Sequence, residues 1–290
     1  MFGQQQQMLD SLCEHEEECQ CDPPFSPIMS KSFLLAALLA VAPVTHSLLA
    51  QANQAPKTNW TGDGDGKSWS QGANWSTGHP PTAEEFVTVT AEEVTVQGIN
   101  NEAGILSFSK TTLVIEAGAE LHVAGGGNGL SFITMESDIR VHGKLFLNTL
   151  LILEQSTITV DGSGLIHRET EKGNAALVPF VLNLVGDKAA IKGLPRFGTV
   201  SDKPFEMNVN ITLGPNGAES IDAQTLILKE GSILTVDVSK YKPKPGGAPV
   251  ILFTCEKLSG RFETANVTGG TGKIQYGATE VTLTDIVVKP

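Results

Sequence analysis

The chain has 290 residues, with 20 basic and 32 acidic side chains and a net charge of −12. That acidic balance, with no run of Lys and Arg, excludes a phosphate-neutralising nucleic-acid surface. With 40% hydrophobic and 18% charged residues, the composition excludes both a disordered acidic tail and a membrane bundle, and 30 glycines predict many turns.

Residues 1–28 hold the run Gln4–Gln7, the acids Glu16–Glu18 and the cysteines Cys13, Cys19 and Cys21 around His15. These cysteines lack the paired C-x-x-C spacing of a zinc site. The expectation is that translation starts at Met29 and that 1–28 lies upstream of the true start, without ordered structure. Residues 29–52 read as a secretory signal peptide: Lys31 gives the positive start, Phe33 to Val44 is apolar and uncharged, and Ala50-Gln51-Ala52 is a small-x-small cleavage site. The apolar run is short for a spanning helix, which needs about 20 residues, so no transmembrane segment is expected in the mature chain. The leader holds one base and six acids, which leaves the mature chain acidic, with Cys255 as its one cysteine and no intrachain disulfide. Secretion or display on the cell surface follows, after cleavage near Ala52.

Beyond Ala52 the pattern is alternation of β-branched and polar residues, as in Phe86-Val87-Thr88-Val89-Thr90 and Val281-Thr282-Leu283-Thr284. Strands running into glycine recur at Val94-Thr95-Val96-Gln97-Gly98, Val114-Ile115-Glu116-Ala117-Gly118, Ile139-Arg140-Val141-His142-Gly143 and Ile158-Thr159-Val160-Asp161-Gly162. Weaker copies end at Gly214 and Gly231, and the stretch between Gly162 and Gly214 matches poorly. A period near twenty residues with strand–turn–strand in each unit predicts an all-β, parallel β-helix (solenoid), because no single unit buries its own apolar face. The alternative is an antiparallel β-sandwich or jelly roll, which also uses short alternating strands. The expected organisation is a Trp-rich N-terminal cap over 53–90, a solenoid body over 91–235 and a C-terminal β cap over 236–290.

The opening of the mature chain is distinctive: Trp60-Thr61-Gly62-Asp63-Gly64-Asp65-Gly66-Lys67-Ser68-Trp69, then Ala73-Asn74-Trp75-Ser76 and Gly78-His79-Pro80-Pro81. This W-x-G, W, N-W-x-x-G-x-P order, with the ending Leu234-Thr235-Val236-Asp237, Val250 to Phe253 and Leu258-Ser259-Gly260-Arg261-Phe262, resembles bacterial secreted proteins built from autotransporter-associated β-strand repeats. The resemblance implies export, a passenger-like β-helical body and a surface or extracellular location, and it carries no catalytic residues; a membrane barrel is the feature of that pattern not expected here.

Candidate sites follow from residue type and spacing. Trp60, Trp69 and Trp75 are read either as the closure of an exposed core end or as an aromatic platform for sugar rings. Asp63 and Asp65 alternate with glycine as in a calcium loop, but the twelfth position from Asp63 is Asn74 rather than an acid. His122 and His142 lie twenty residues apart, with His167 beyond, and are expected to stack on one outer face. Glu120, His122, Arg140 and His142 are the one catalytic candidate group, drawn from neighbouring repeats. Asn59, Asn74, Asn210 and Asn266 each begin an N-x-S/T triplet. The segment is read first as a Gly/Asp turn and only secondarily as a calcium site at Asp63 and Asp65, so no cofactor is expected. The function expected is an exported, non-catalytic structural or adhesive protein that meets extracellular polysaccharide or a surface matrix. The alternative is a carbohydrate-active protein, either a glycan-binding module or a β-helix polysaccharide lyase or hydrolase.

Overall fold

The chain divides into Met1–Leu48 and Leu49–Pro290. The computed structural model describes residues 55–125, 130–148, 150–168, 176–198, 207–243 and 247–290. The expected upstream segment 1–28 and signal peptide 29–52 lie outside these residues. What is described is all-β, with mostly parallel strands in an eight-stranded and a fifteen-stranded sheet.

The eight-stranded sheet stacks Glu93–Val96, Thr112–Ile115, Asp138–Val141, Thr157–Asp161, Val181–Val185, Asn208–Thr212, Ile233–Asp237 and Thr264–Thr268 in chain order. The larger sheet carries two parallel ladders. One runs from Lys57–Asn59 and Phe86–Val89 to Ala176–Val178, and the other from Asn101–Ala103 to Leu165–Arg168. They meet in Ala190–Gly198, which pairs with Leu165–Arg168 through its first residues and with Ala176–Val178 through Arg196 and Phe197. The chain therefore visits one ladder, the eight-stranded sheet and the other ladder in turn. Partners are distant in sequence, from the step Val94↔Leu113 to the step Leu226↔Leu258.

The alternation read from the sequence decides which side faces inward. Val94, Leu113, Ile139, Ile158, Leu182, Val209 and Leu234 form one column in register, and every one is fully buried. Val96, Ile115, Val141, Val160, Leu184, Ile211 and Val236 form the next, equally buried apart from a trace at Ile211. Burying each such side chain stabilises the fold by about 1.5–3 kcal/mol. The poorly matching stretch after Gly162 contains a regular copy, Val181-Leu182-Asn183-Leu184-Val185, with Leu182 and Leu184 inward and Gly186 at φ 96° behind it.

Three of the corners before the eight-stranded sheet are built by hydroxyls rather than glycines. Lys110, Glu136 and Gln155 adopt φ of 52°, 48° and 47°, and each precedes a buried hydroxyl residue, Thr111, Ser137 or Ser156. The backbone N–H of Thr111 donates to Ser137 Oγ at 3.2 Å, and that of Ser137 to Ser156 Oγ at 3.0 Å. Each hydroxyl thus satisfies a buried donor from the preceding corner, offsetting the unfavourable left-handed backbone beside it.

The antiparallel sandwich is not found. Among the named strands, antiparallel pairing is confined to Glu280–Val288, which pairs with Val250–Ser259 and with Gly270–Tyr276. Parallel pairing begins at Lys57–Asn59 against Phe86–Val89 and continues to Thr264–Thr268, well outside the expected body of 91–235 at both ends. A repeat defined by glycine misses strands whose corners use other residues.

Candidate functional site

The tryptophans form an edge-to-face chain. Trp60 and Trp75 lie 4.9 Å apart between centroids at 88°, and Trp69 and Trp75 lie 4.9 Å apart at 71°. Trp75 Nε1 donates to the carbonyl of Trp69 at 2.7 Å. Trp69 is 0% and Trp75 3% exposed, so neither has a ring face open to a sugar. Trp60, half-buried against the same core, is the one of the three that meets solvent.

The loop between them is organised by Asn74, which is 0% exposed. Its Oδ1 accepts from the N–H groups of Gly64 at 2.9 Å and Gly66 at 3.1 Å. Its Nδ2 donates to Asp65 Oδ1 at 2.8 Å and to the carbonyl of Ser68 at 2.9 Å. Asp65 Oδ1 accepts further from the N–H groups of Lys67 and Ser68, and Oδ2 from the Ser68 hydroxyl. These donors, Ser68 foremost, hold the Asp65 carboxyl well below the usual carboxylate range. In this arrangement Asp65 is an acceptor for its own loop, and Asp63 stands beside it exposed. Asn74 takes the place of the twelfth-position acid as the centre of the turn. Among the described residues no group of three or more His, Cys, Asp or Glu side chains is placed to hold a metal ion.

The catalytic candidates do not share a face. His122 lies in Glu120–Val123 on the fifteen-stranded sheet, in register with Glu102 and Phe146. Arg140 lies on the eight-stranded sheet, between Val114 and Thr159. His142 follows that strand at a corner, its N–H donating to the carbonyl of Ile115 at 2.9 Å. The twenty-residue spacing of His122 and His142 therefore places them on different sides of a corner, not in one stack. The imidazole that shares a ladder with His122 is His167, with Phe146 between them.

Each candidate is engaged by a near neighbour, and of the four Glu120 and His122 meet each other. Lys144 Nζ donates to Glu120 Oε1 at 2.7 Å and His122 Nε2 lies 3.7 Å from Glu120 Oε2; the lysine, chiefly through that hydrogen bond, lowers the Glu120 pKa. Arg140 grips Asp138, its Nε at 2.9 Å and a terminal nitrogen at 2.8 Å from Oδ2. His142 Nδ1 bonds Asp161 Oδ1, one strand along. These are ladder contacts between or along strands, each group satisfied by a neighbour within its own surface.

Cys255 is buried, and burial raises its thiol pKa, the opposite of an activated nucleophile. A cavity of about 530 Å³ lies at the C-terminal end, lined by Phe262, Val267, Ile274 and Tyr276, with the Arg261 guanidinium 5.3 Å over the Tyr276 ring. Among the described residues no helix is long and apolar enough to cross a membrane.

Sequence reasoning missed the polar ladder on the outer side of the eight-stranded sheet. Thr159, Asn183, Asn210, Thr235 and Asn266 occupy one register column. Asn183 Nδ2 donates to Thr159 Oγ1 at 3.1 Å and Asn210 Nδ2 to Asn183 Oδ1 at 3.0 Å. The signal was present in T-I-T, N-L-V, N-V-N and T-V-D, which place amides and hydroxyls at outward positions of successive strands.

Compared with known proteins, the chain matches no family model, no curated protein and no solved structure.

Proposed function

We propose that the chain is an exported, non-catalytic structural or adhesive protein whose body is a parallel β-solenoid. The observation that carries this reading is the engagement of Glu120, His122, Arg140 and His142 in ladder contacts along the stack. Groups that a polysaccharide enzyme would converge on one reacting atom are here distributed over two sheets and a corner, each holding a neighbour. Continuous parallel ladders and a buried tryptophan cluster at the N-terminal end suit a rigid surface element that needs no disulfide. The leader at 29–52 accounts for export, and the W-x-G and N-W-x-x-G-x-P motifs for the likeness to autotransporter-associated repeat proteins.

The test is to express the full chain and fractionate the cells. Mass analysis of the external or surface-bound protein should give an N-terminus at Asn53. Retention inside the cell, or external material that still carries Cys13, contradicts the reading.

A further inference from the structure

We propose that the outward side of the last five strands of the eight-stranded sheet is a binding strip for a neutral polysaccharide. The proposal rests on the adhesive reading above and names the partner class and the surface. The strip is centred on the column Thr159, Asn183, Asn210, Thr235 and Asn266. Five strands spaced at about 4.8 Å give a row of about 19 Å, which fits an extended chain rather than a single sugar.

Three features of the row point to that ligand. First, the amides are preorganised. The bonds from Asn183 to Thr159 and from Asn210 to Asn183 fix the amide planes, and an amide has two donors and two acceptor lone pairs. The ladder engages one N–H and one lone pair of Asn183, leaving one of each for a ligand. Sugar hydroxyls both donate and accept, so they match such a row, and a row already held in place loses little entropy on binding.

Second, the row is flanked by apolar side chains. Val181, Val185 and Ile233 point outward from the same strands and are half-buried, so methyl groups stand on both sides of the polar column for the C–H faces of pyranose rings.

Third, the charge pattern selects a neutral polymer. On the first strands of this sheet charged side chains stand among the outward positions, Glu93 paired to Lys67 of the N-terminal loop and Arg140 to Asp138. Over the last five strands the charged outward residues are Asp161 and Asp237, both at strand ends. Asp161 is bonded to His142, and Asp237 accepts from the Ser239 N–H and hydroxyl. The centre of the strip is thus uncharged, with carboxylates only at its edges, on a mature chain of 19 basic and 26 acidic residues. An anionic polymer meets repulsion from the rest of the molecule, whereas a neutral one binds without removing water from ions.

The test is a pull-down of the full-length protein on insoluble cellulose, chitin and galactan, with polygalacturonate as the anionic control. Retention on at least one neutral polymer is expected to persist in high salt. Thr235→Arg should weaken it about tenfold or more, the milder Thr235→Val should weaken it less, and Lys144→Ala, on the other sheet, should leave it unchanged. Failure to bind any neutral polymer, preference for polygalacturonate, or retention indifferent to both Thr235 variants overturns the proposal. Conversion of a dimer to a monomer by Thr235→Arg, seen by size exclusion, also overturns it, since the occupant is then a second copy. Surface attachment that survives while all neutral polymers are ignored counts against this strip alone. Retention on a neutral polymer by a protein that is not exported counts against the export reading and supports the strip.

Discussion

The imidazole of His122 lies flat on the ring of Phe146, with centroids 4.4 Å apart and planes 16° from parallel. The two residues are register partners on adjacent strands, and on the far side Phe146 meets His167 edge-on at 6.3 Å. The stack shows what an outward column does when strands are parallel and in register: like positions repeat one strand apart, so side chains contact their counterparts on the next strand. The same rule produces Glu120 against Lys144 and Asn210 against Asn183.

Val141 is fully buried in register with Ile115 and Val160. Val141→Asp places an unpaired carboxylate in the column and should cost several kcal/mol, about 3–5. Val141→Ala should cost about 2 kcal/mol. Urea unfolding of both variants checks the values, and equal small losses would mean that the column is not a packed core.

Ser137 satisfies the buried N–H of Thr111 while its own hydroxyl donates to the carbonyl of Met135 at 2.8 Å. Ser137→Ala leaves that N–H without a partner and should cost about 1–3 kcal/mol. Ser137→Thr, which keeps the hydroxyl, should recover part of the loss in the same unfolding experiment.

Glycines at two equivalent corners of the stack have different reasons to be there. A methyl group on Gly164 would run into the carbonyl oxygen of Val141, whereas at Gly118, with φ 81°, it would meet open space. Gly118→Ala should therefore cost only the left-handed backbone strain, about 1–2 kcal/mol. Gly164→Ala should cost more, because backbone has to move. Thermal melts of the two variants give the order directly.

The Asp65 carboxyl is depressed by its hydrogen-bond donors. Its contribution to stability is fully present above the ordinary aspartate pKa of about 3.9, and is lost as pH falls toward the lower folded value. Asp65→Asn should weaken the N-terminal loop at neutral pH and flatten the acid limb of the stability curve. Acid titration followed by tryptophan fluorescence reads both, since Trp69 and Trp75 pack beside this loop. An unchanged acid limb would contradict the hydrogen-bond account.

Strand identity and inward-facing residues were legible in the sequence, because alternation at Val94-Thr95-Val96 and Ile158-Thr159-Val160 reports burial directly. Parallel pairing was legible through the recurring glycine corners. Register was not. His122 and His142 are twenty residues apart, yet the step at this point of the stack is 24 residues, from His122 to Phe146. Unit length varies between corners, and only the corner chemistry sets it. That chemistry was itself hidden where Lys110-Thr111, Glu136-Ser137 and Gln155-Ser156 replace glycine, since a charged or amide residue at positive φ gives no turn signal by composition. The Gly/Asp turn at residues 63–66 is legible from composition, but the role of Asn74 at its centre is not, because spacing alone does not show that an amide can bind four backbone and side-chain groups at once.

The claim at the centre of this account is that the outward groups of the stack hold the fold and do not turn over substrate. Incubation of the purified full-length protein with acidic and neutral polysaccharides, followed by assay for reducing ends and unsaturated products, tests it most directly. The account predicts no product from the wild type and none from His122→Ala or His142→Ala. Product formed by the wild type and abolished by either substitution, with the fold intact by circular dichroism, would contradict it.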